Sequence, residues 1–228
     1  MSNLNSGSAP RTLRGKTRVK AVPEVKIVET ANSLSASNFF EKYGKTWSST
    51  ASLLDGHSEL HHCQDDASHI PPALLEQCLK LIELTSAQDY QNSELKWSPS
   101  KKRKEMRLPD MKYIILVERN TSNLAGFISF MITYEDGYEV VYIYEIHFAP
   151  AWQGKGLGKK LMRAVEAIGQ SVGVGKSMLT VFTANERAVN WYHKLGYSED
   201  EFSPGPRTLR NGTVKEPSYV ILSKRLND

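Results

Sequence analysis

The chain has 228 residues, 29 Lys/Arg against 25 Asp/Glu for a formal net charge of +4, and 40% hydrophobic residues. That allows one sizeable domain with extensions, or two small ones, and enough apolar content for a core. No run approaches the roughly 20 apolar residues of a membrane span, the N-terminus lacks an apolar signal core, and two cysteines are too few for a disulfide framework and fit a reducing compartment.

Residues 1–22 are rich in Ser, Asn, Gly and Arg without an apolar period, and are expected to be a disordered basic tail. Residues 1–30 hold six Lys/Arg and two Glu, so the whole net charge lies there. Such a tail suits contact with nucleic acid, a ribosome or a nucleosome, or is simply solvated. Residues 23–69 are expected to be a helical extension packing on the core. Val25, Val28, Ala31 and Leu34 recur at helical spacing, and Phe39, Phe40, Tyr43 and Trp47 suit docking on a larger body. Residues 48–69 look like a loop. Its His57, His61, His62, Cys63, Asp65, Asp66 and His69 lack a paired zinc spacing, so no metal is expected.

Residues 70–228 form the main domain. Pro71-Pro72 opens a helix with Leu74, Leu75, Cys78, Leu79 and Ile82 on one face. The basic run Lys101–Lys104 reads as a solvated helix face. Strands are expected over 112–118, 124–134 and 138–148, with Asp136-Gly137 as a hairpin turn. A helix follows from Leu157 to Val172, a strand from Ser177 to Phe182, and a short helix from Asn185 ended by Gly196. Closing strands are expected at 197–202 and 218–223, joined by a Pro/Gly-rich loop. This order describes a mixed α/β (α+β) layer, a mostly antiparallel sheet flanked by helices, and not a doubly wound sheet.

Between the third strand and the long helix lies Gln153-Gly154-Lys155-Gly156-Leu157-Gly158-Lys159. Alternate glycines let the backbone curl and expose N–H groups beside a helix N-terminus, a site for a phosphate-bearing ligand. The P-loop spacing fails, because Gly158-Lys159 is followed by Lys160 and Gln153 stands where the first glycine belongs. The dinucleotide fingerprint fails too, with Lys159 in its third glycine place. A flexible turn is the plain alternative.

The spacing Gln-x-x-Gly-x-Gly resembles the pyrophosphate loop of the GCN5-related N-acetyltransferases (GNAT). Asn185-x-x-Ala188 and Trp191-Tyr192-x-x-x-Gly196-Tyr197 resemble that family's closing segment. The resemblance implies the GNAT fold and acetyl-CoA as co-substrate, without a metal. Gln153, Gly154, Lys155, Gly156, Leu157, Gly158 and Lys159 would hold its diphosphate. Backbone groups of Ile146, His147 and Phe148 would meet the pantetheine arm and acyl carbonyl, and Asn185 and Tyr192 would lie beside the coenzyme. Tyr142-Ile143-Tyr144-Glu145, Leu179–Phe182, the ending Ser218–Ser223 and Phe39–Tyr43 resemble the NatD type, which acetylates the α-amine of histones of the H-four and H-two-A types. That likeness implies histone tail peptides starting Ser-Gly-Arg-Gly as substrate, a monomer, and a place in cytoplasm and nucleus. It also implies Tyr90, Tyr142, Tyr144, Thr180, Ser203, Tyr219 and Glu139 as substrate residues. Leu95 and Thr133 depart from it, where relatives tend to carry Trp and, in animals, an acidic residue.

An amine attacks a thioester only when unprotonated, and an α-amine has a pKa of roughly 7.7–8.0, so a modest base suffices. Glu145 is the candidate, directly or through water, with His147 as another. Simple alternation sets Glu145 opposite Tyr142 and Tyr144, and a β-bulge would bring all three into one cavity. Tyr192 could protonate the leaving thiolate, and Tyr142 joins the catalytic group. Each side chain also has an ordinary structural reading, in an ion pair or in packing. Glu135, Asp136 and Glu139 make an acidic hairpin able to meet a basic tail. Acetylation of a lysine or small amine, and a catalytically silent peptide-binding module, are the rival functions.

Overall fold

The structure, a computed structural model, describes residues 26–45 and 53–226. The basic tail 1–22 and Trp47 lie outside the described residues. Two short helices come first, α1 (Ile27–Asn32) and α2 (Ala36–Tyr43), followed by strand β1 (Leu60–Asp66). Helices α3 (Pro72–Asn92) and α4 (Pro99–Glu105) lead into β2 (Lys112–Glu118), β3 (Leu124–Glu135) and β4 (Tyr138–Phe148). Then come α5 (Leu157–Val172), β5 (Lys176–Phe182), α6 (Glu186–Lys194) and β6 (Ser198–Glu199). The chain finishes with β7 (Arg207–Thr208), β8 (Val214–Lys215) and β9 (Tyr219–Arg225).

Seven strands form one sheet in the order β1-β2-β3-β4-β5-β9-β6. All neighbours run antiparallel except β4 and β5. The central strands are buried on both sides; Lys112 to Val117 of β2 are all inaccessible. Helices must therefore cover both faces. On one, α1, α2, α5 and α6 pack in a core that includes Phe39, Phe130, Leu161, Val165 and Leu179. On the other, α3 and α4 pack through Leu75, Cys78, Ile82 and Met106 against Tyr113, Ile115 and Phe127. The expected mixed layer is thus what forms.

Helix α5 shows how closely the layers meet. Its apolar positions Leu157, Leu161, Ala164, Val165, Ile168 and Val172 are buried. Gly169 is the point of contact: a Cβ there would lie 2.8 Å from Val141 and 2.9 Å from Leu226. Gly169→Ala should gain about 0.5–1 kcal/mol of helix propensity and lose about 1–3 kcal/mol to overpacking. A net destabilisation is expected, read as a lower urea midpoint at unchanged slope; a raised midpoint would show that the helix can back away from the sheet at little cost.

Three readings need correction. Residues 48–69 are not all loop: β1 pairs with β2 from Leu60↔Glu118 to Asp66↔Lys112. Only Leu60 in it is buried. It is an edge strand held by its backbone, so no apolar alternation announces it. The strand expected at 197–202 shrinks to Ser198–Glu199, and the Pro/Gly-rich loop after it contains the β7–β8 hairpin. Lys101–Lys104 is not wholly a solvated face, because Lys102 is buried at 5% exposure.

Candidate active site

Strands β4 and β5 pair only from Val140↔Lys176 to Ile143↔Leu179, and then part. Beyond Ile143 one backbone edge of β4 borders a fork, while the other stays on β3. At the same point the β3–β4 register shifts: Ser129 faces Glu145 and Phe130 faces Ile143, leaving Tyr144 as the extra residue. This bulge reverses the alternation. Val141, Ile143, Ile146 and Phe148 join the α5 side of the sheet. Tyr142, Tyr144, Glu145 and His147 share the α3 side, as their contacts with one another and with α3 and α4 show. The bulge anticipated from the sequence therefore exists and does what was expected of it.

Glu145 is held on three sides. Its Oε1 accepts from Lys102 Nζ at 2.7 Å and from the Tyr90 hydroxyl at 3.4 Å. Its Oε2 lies 2.6 Å from Nε2 of His147, whose Nδ1 lies 2.7 Å from the Thr85 hydroxyl. Burial alone would raise the Glu145 carboxyl, but the Lys102 ammonium and the bond with His147 outweigh it and hold it down at about 2. Burial would lower the Lys102 ammonium, and the charges of Glu145 and Glu105 reverse that and raise it. Both therefore stay ionised. A carboxylate this acidic is a weak acceptor for a proton from an α-amine near 7.7–8.0, so direct general-base action by Glu145 does not fit its surroundings.

Of the expected substrate residues, Tyr90 touches this carboxylate, Tyr142, Tyr144, Thr180 and Tyr219 lie along the neighbouring strands, and two are placed elsewhere. Tyr142 and Tyr144 have ring centroids 5.2 Å apart, and the Tyr142 hydroxyl lies 2.5 Å from that of Thr180 across the fork. Burial, offset in part by Thr180, pushes Tyr142 up to about 12. Tyr90 packs against Phe182 at 4.8 Å, and Tyr219 pairs with Phe182 on β9. Glu139 is not brought in: it pairs with Tyr134, whose hydroxyl reaches back to Glu29 of α1. Glu135, opposite Tyr138 at the hairpin end, is close enough for its charge to act on both Tyr142 and Tyr144. The Ser203 hydroxyl accepts from the Ile221 backbone, so it fixes the loop before β7 to β9. Tyr192 is buried, and burial with the nearby Glu145 charge raises its phenol, keeping it a proton donor. Lys102, Thr85 and Glu105 were missed because a basic run and a mid-helix Thr carry no mark of burial.

The glycine turn lies at the mouth of the fork. Gly154 and Gly156 have φ of 74° and 80°, the left-handed region that other residues rarely adopt. Gly156 is the N-cap of α5 and supplies no side-chain acceptor. The first N–H groups of the helix thus point into the turn, as an anionic diphosphate requires. Gly158 is needed for space, since a Cβ would lie 3.2 Å from Trp191 of α6. Gln153 donates to the Phe148 carbonyl and Lys155 stacks on Trp152 at 4.4 Å, so both also brace the turn. Lys159 lies in the first turn of α5. Asn185 caps α6 by accepting from the Ala188 N–H. A forked strand edge leading to an uncapped helix end fits coenzyme A: one edge for the arm, one turn for the diphosphate.

Comparison with known proteins agrees with this geometry. The family described as "Acetyltransferase (GNAT) family" matches residues 78–197. N-alpha-acetyltransferase 40 of Saccharomyces cerevisiae is 30% identical over 155 residues, 58% of this chain and 54% of that protein. Streptothricin acetyltransferase of Streptomyces lavendulae is 29% identical over 99 residues, 43% of this chain and 50% of that protein. The chain thus spans about half the length of these curated relatives. Arabidopsis thaliana NAA60, solved with a bisubstrate analogue, shares the fold at TM-score 0.51 and 15% identity, over 72% of this chain and 98% of that one. The match from within α3 to Tyr197 takes in the bulged strand, the fork and the glycine turn, more than half of the chain: it belongs to the acetyltransferase (GNAT) family.

Proposed function

We propose that this protein transfers the acetyl group of acetyl-CoA to the N-terminal α-amine of a protein, with tails starting Ser-Gly-Arg-Gly as the favoured class. The observation that carries it is a buried, ionised carboxylate, Glu145, under a wall made by Tyr90, Tyr142 and Tyr144. The similarity to N-alpha-acetyltransferase 40 supports the α-amine. A narrow aromatic slot suits a chain end, where one small side chain and a flexible glycine enter first.

Acetyl-CoA supplies a thioester whose carbonyl carbon accepts the amine and whose sulfur leaves as a thiolate. The residues of this chain orient and stabilise around it. Glu145 attracts the incoming amine and offsets the positive charge its nitrogen gains on attack, a role for a carboxylate that does not titrate. The amine docks on Glu145 as its ammonium and sheds one proton to water before it attacks, which an α-amine with a pKa of roughly 7.7–8.0 does readily near pH 8. Backbone N–H groups on the edge of β4 left free beyond Ile143 would donate to the acyl oxygen. The proton that the nitrogen loses after attack goes to water, and the departing thiolate takes a hydrogen bond from the Tyr192 hydroxyl, which burial keeps protonated.

A panel of peptides differing only in their first four residues tests this. A Ser-Gly-Arg-Gly peptide should carry the acetyl group on its α-amine by mass spectrometry, and blocking that amine should leave internal lysines unmodified. Replacing its Arg by Glu should weaken use by about 1–3 kcal/mol, the scale of a hydrogen bond to a charged group, with Glu135 as the acidic partner. Equal rates for the two peptides would remove the acidic rim. Acetyl on an internal lysine would favour a side-chain acetyltransferase. Nucleosome or ribosome contact through the basic tail, a monomeric state and a nuclear and cytoplasmic location belong to the same proposal.

A further inference from the structure

Lys102 lies in a run of four basic residues, yet it is the one among Lys101–Lys104 that is buried. Its ammonium touches Glu145 at 2.7 Å and Glu105 at 2.5 Å, and sits 4.8 Å from the centroid of the Tyr90 ring. Two carboxylates and an aromatic face are what any primary ammonium seeks in a dry site. Glu145 Oε2 is already committed to His147, so Oε1 is the atom for which Lys102 and an incoming amine compete. The two partners of Lys102 differ. Glu145 is buried on the sheet, whereas the Glu105 side chain is 38% exposed and stands three residues along the same helix.

We propose that Lys102 is a built-in stand-in for the acceptor amine: it spans Glu145 and Glu105, and the incoming amine takes over Glu145 while Lys102 stays with Glu105. This rests on reading Glu145 as the carboxylate beside the acceptor. Removing one partner of a buried ion pair strands a charge and is costly. Exchanging one ammonium for another strands none. Lys102 can give up Glu145 because Glu105 moves with it on α4. The device makes Lys102 a positioning residue and Glu105 its retaining partner. Between visits the pair also keeps Glu145 ionised and aimed at the slot. The other titratable groups facing the cluster are Tyr90 from α3, Tyr113 from β2, His147 and Tyr144 from β4, and Tyr192 from α6.

Opposite signs in two variants test the exchange. At pH 8, Lys102→Met should lower the KM for the acceptor amine by roughly tenfold, the lower end of what a hydrogen bond to a charged group supplies. Glu105→Gln should raise that KM by a similar factor, because Lys102 then has only Glu145. Lys102→Arg should stay near the wild type. A pair that is merely structural moves both KM values upward, and that result overturns the proposal. If Lys102→Met does not fold by circular dichroism, Lys102→Gln takes its place with the same expected fall in KM, and an unchanged or lower KM in Glu105→Gln sinks the exchange in either case. The acceptor used is whichever amine the wild-type protein modifies in the peptide panel. Acetyl found on a lysine side chain or polyamine refutes the α-amine reading, yet leaves the KM comparison valid for that amine.

Discussion

Glu145→Gln should lower turnover about 10²-fold, the scale of losing one preorganised charge partner in a dry site, while acetyl-CoA affinity stays nearly constant. The amide keeps the shape and removes the charge that offsets the attacking nitrogen. Lys102 retains Glu105 in the variant, so its ammonium is not left alone. Stability gives an independent check, with the sign fixed by the depressed carboxyl. A group held at about 2 in the fold and near 4.5 when unfolded adds stability above pH 4.5 and loses it as pH falls toward 2. Wild type should therefore be the more stable protein at pH 7, and its advantage should shrink on acidification through that window. A wild-type rate in the variant across pH 6 to 9 would show that the carboxylate's charge is not used.

Gly156→Glu should abolish detectable acetyl-CoA binding in a protein that still folds. A non-glycine residue at φ 80° costs about 1–2 kcal/mol. There is room to begin the side chain, since no atom lies within 4 Å of a Cβ at this position. The new carboxylate would sit at the N-terminus of α5, where a negative charge is welcome. It would take the place of the diphosphate and repel it. Gly156→Ala is the matched control: it carries the same backbone strain without the charge, and should lose far less affinity. Titration calorimetry separates the two, and unchanged affinity in Gly156→Glu would remove coenzyme A from the turn.

How much of this could be read from the residues depends on what each feature uses to hold itself together. Helix α5 announces itself because its apolar positions follow the helical period, and β2 to β4 because they are short, largely apolar runs bounded by turn residues. The glycine turn is legible because only glycine accepts two left-handed positions so close together. The edge strand β1 is not legible: its partners are backbone groups of β2, and its side chains are mostly polar. The bulge could be suspected from Tyr142, Tyr144 and Glu145 needing one face, but the register that creates it belongs to the pairing with β3. Lys102 was hidden for a different reason. A lysine is buried by its partners, and those partners, Glu145 and Tyr90, lie 43 and 12 positions away in the chain. Glu139 belongs to an acidic hairpin with Glu135 and Asp136, yet it falls on the side of that hairpin turned toward α1, which the charge pattern does not reveal.

The fork also makes a mechanical seam. Among the described residues, the backbone ladder that joins β5, β9 and β6 to the rest of the sheet runs only from Val140 to Ile143. The sheet is thus two panels stitched for part of their length, with the open part left for a guest molecule to sew shut. A ligand that bridges the panels adds its binding energy to a short join in the middle of the sheet, so occupancy and rigidity rise together. The opening that admits the co-substrate is the same one through which the two panels can work loose.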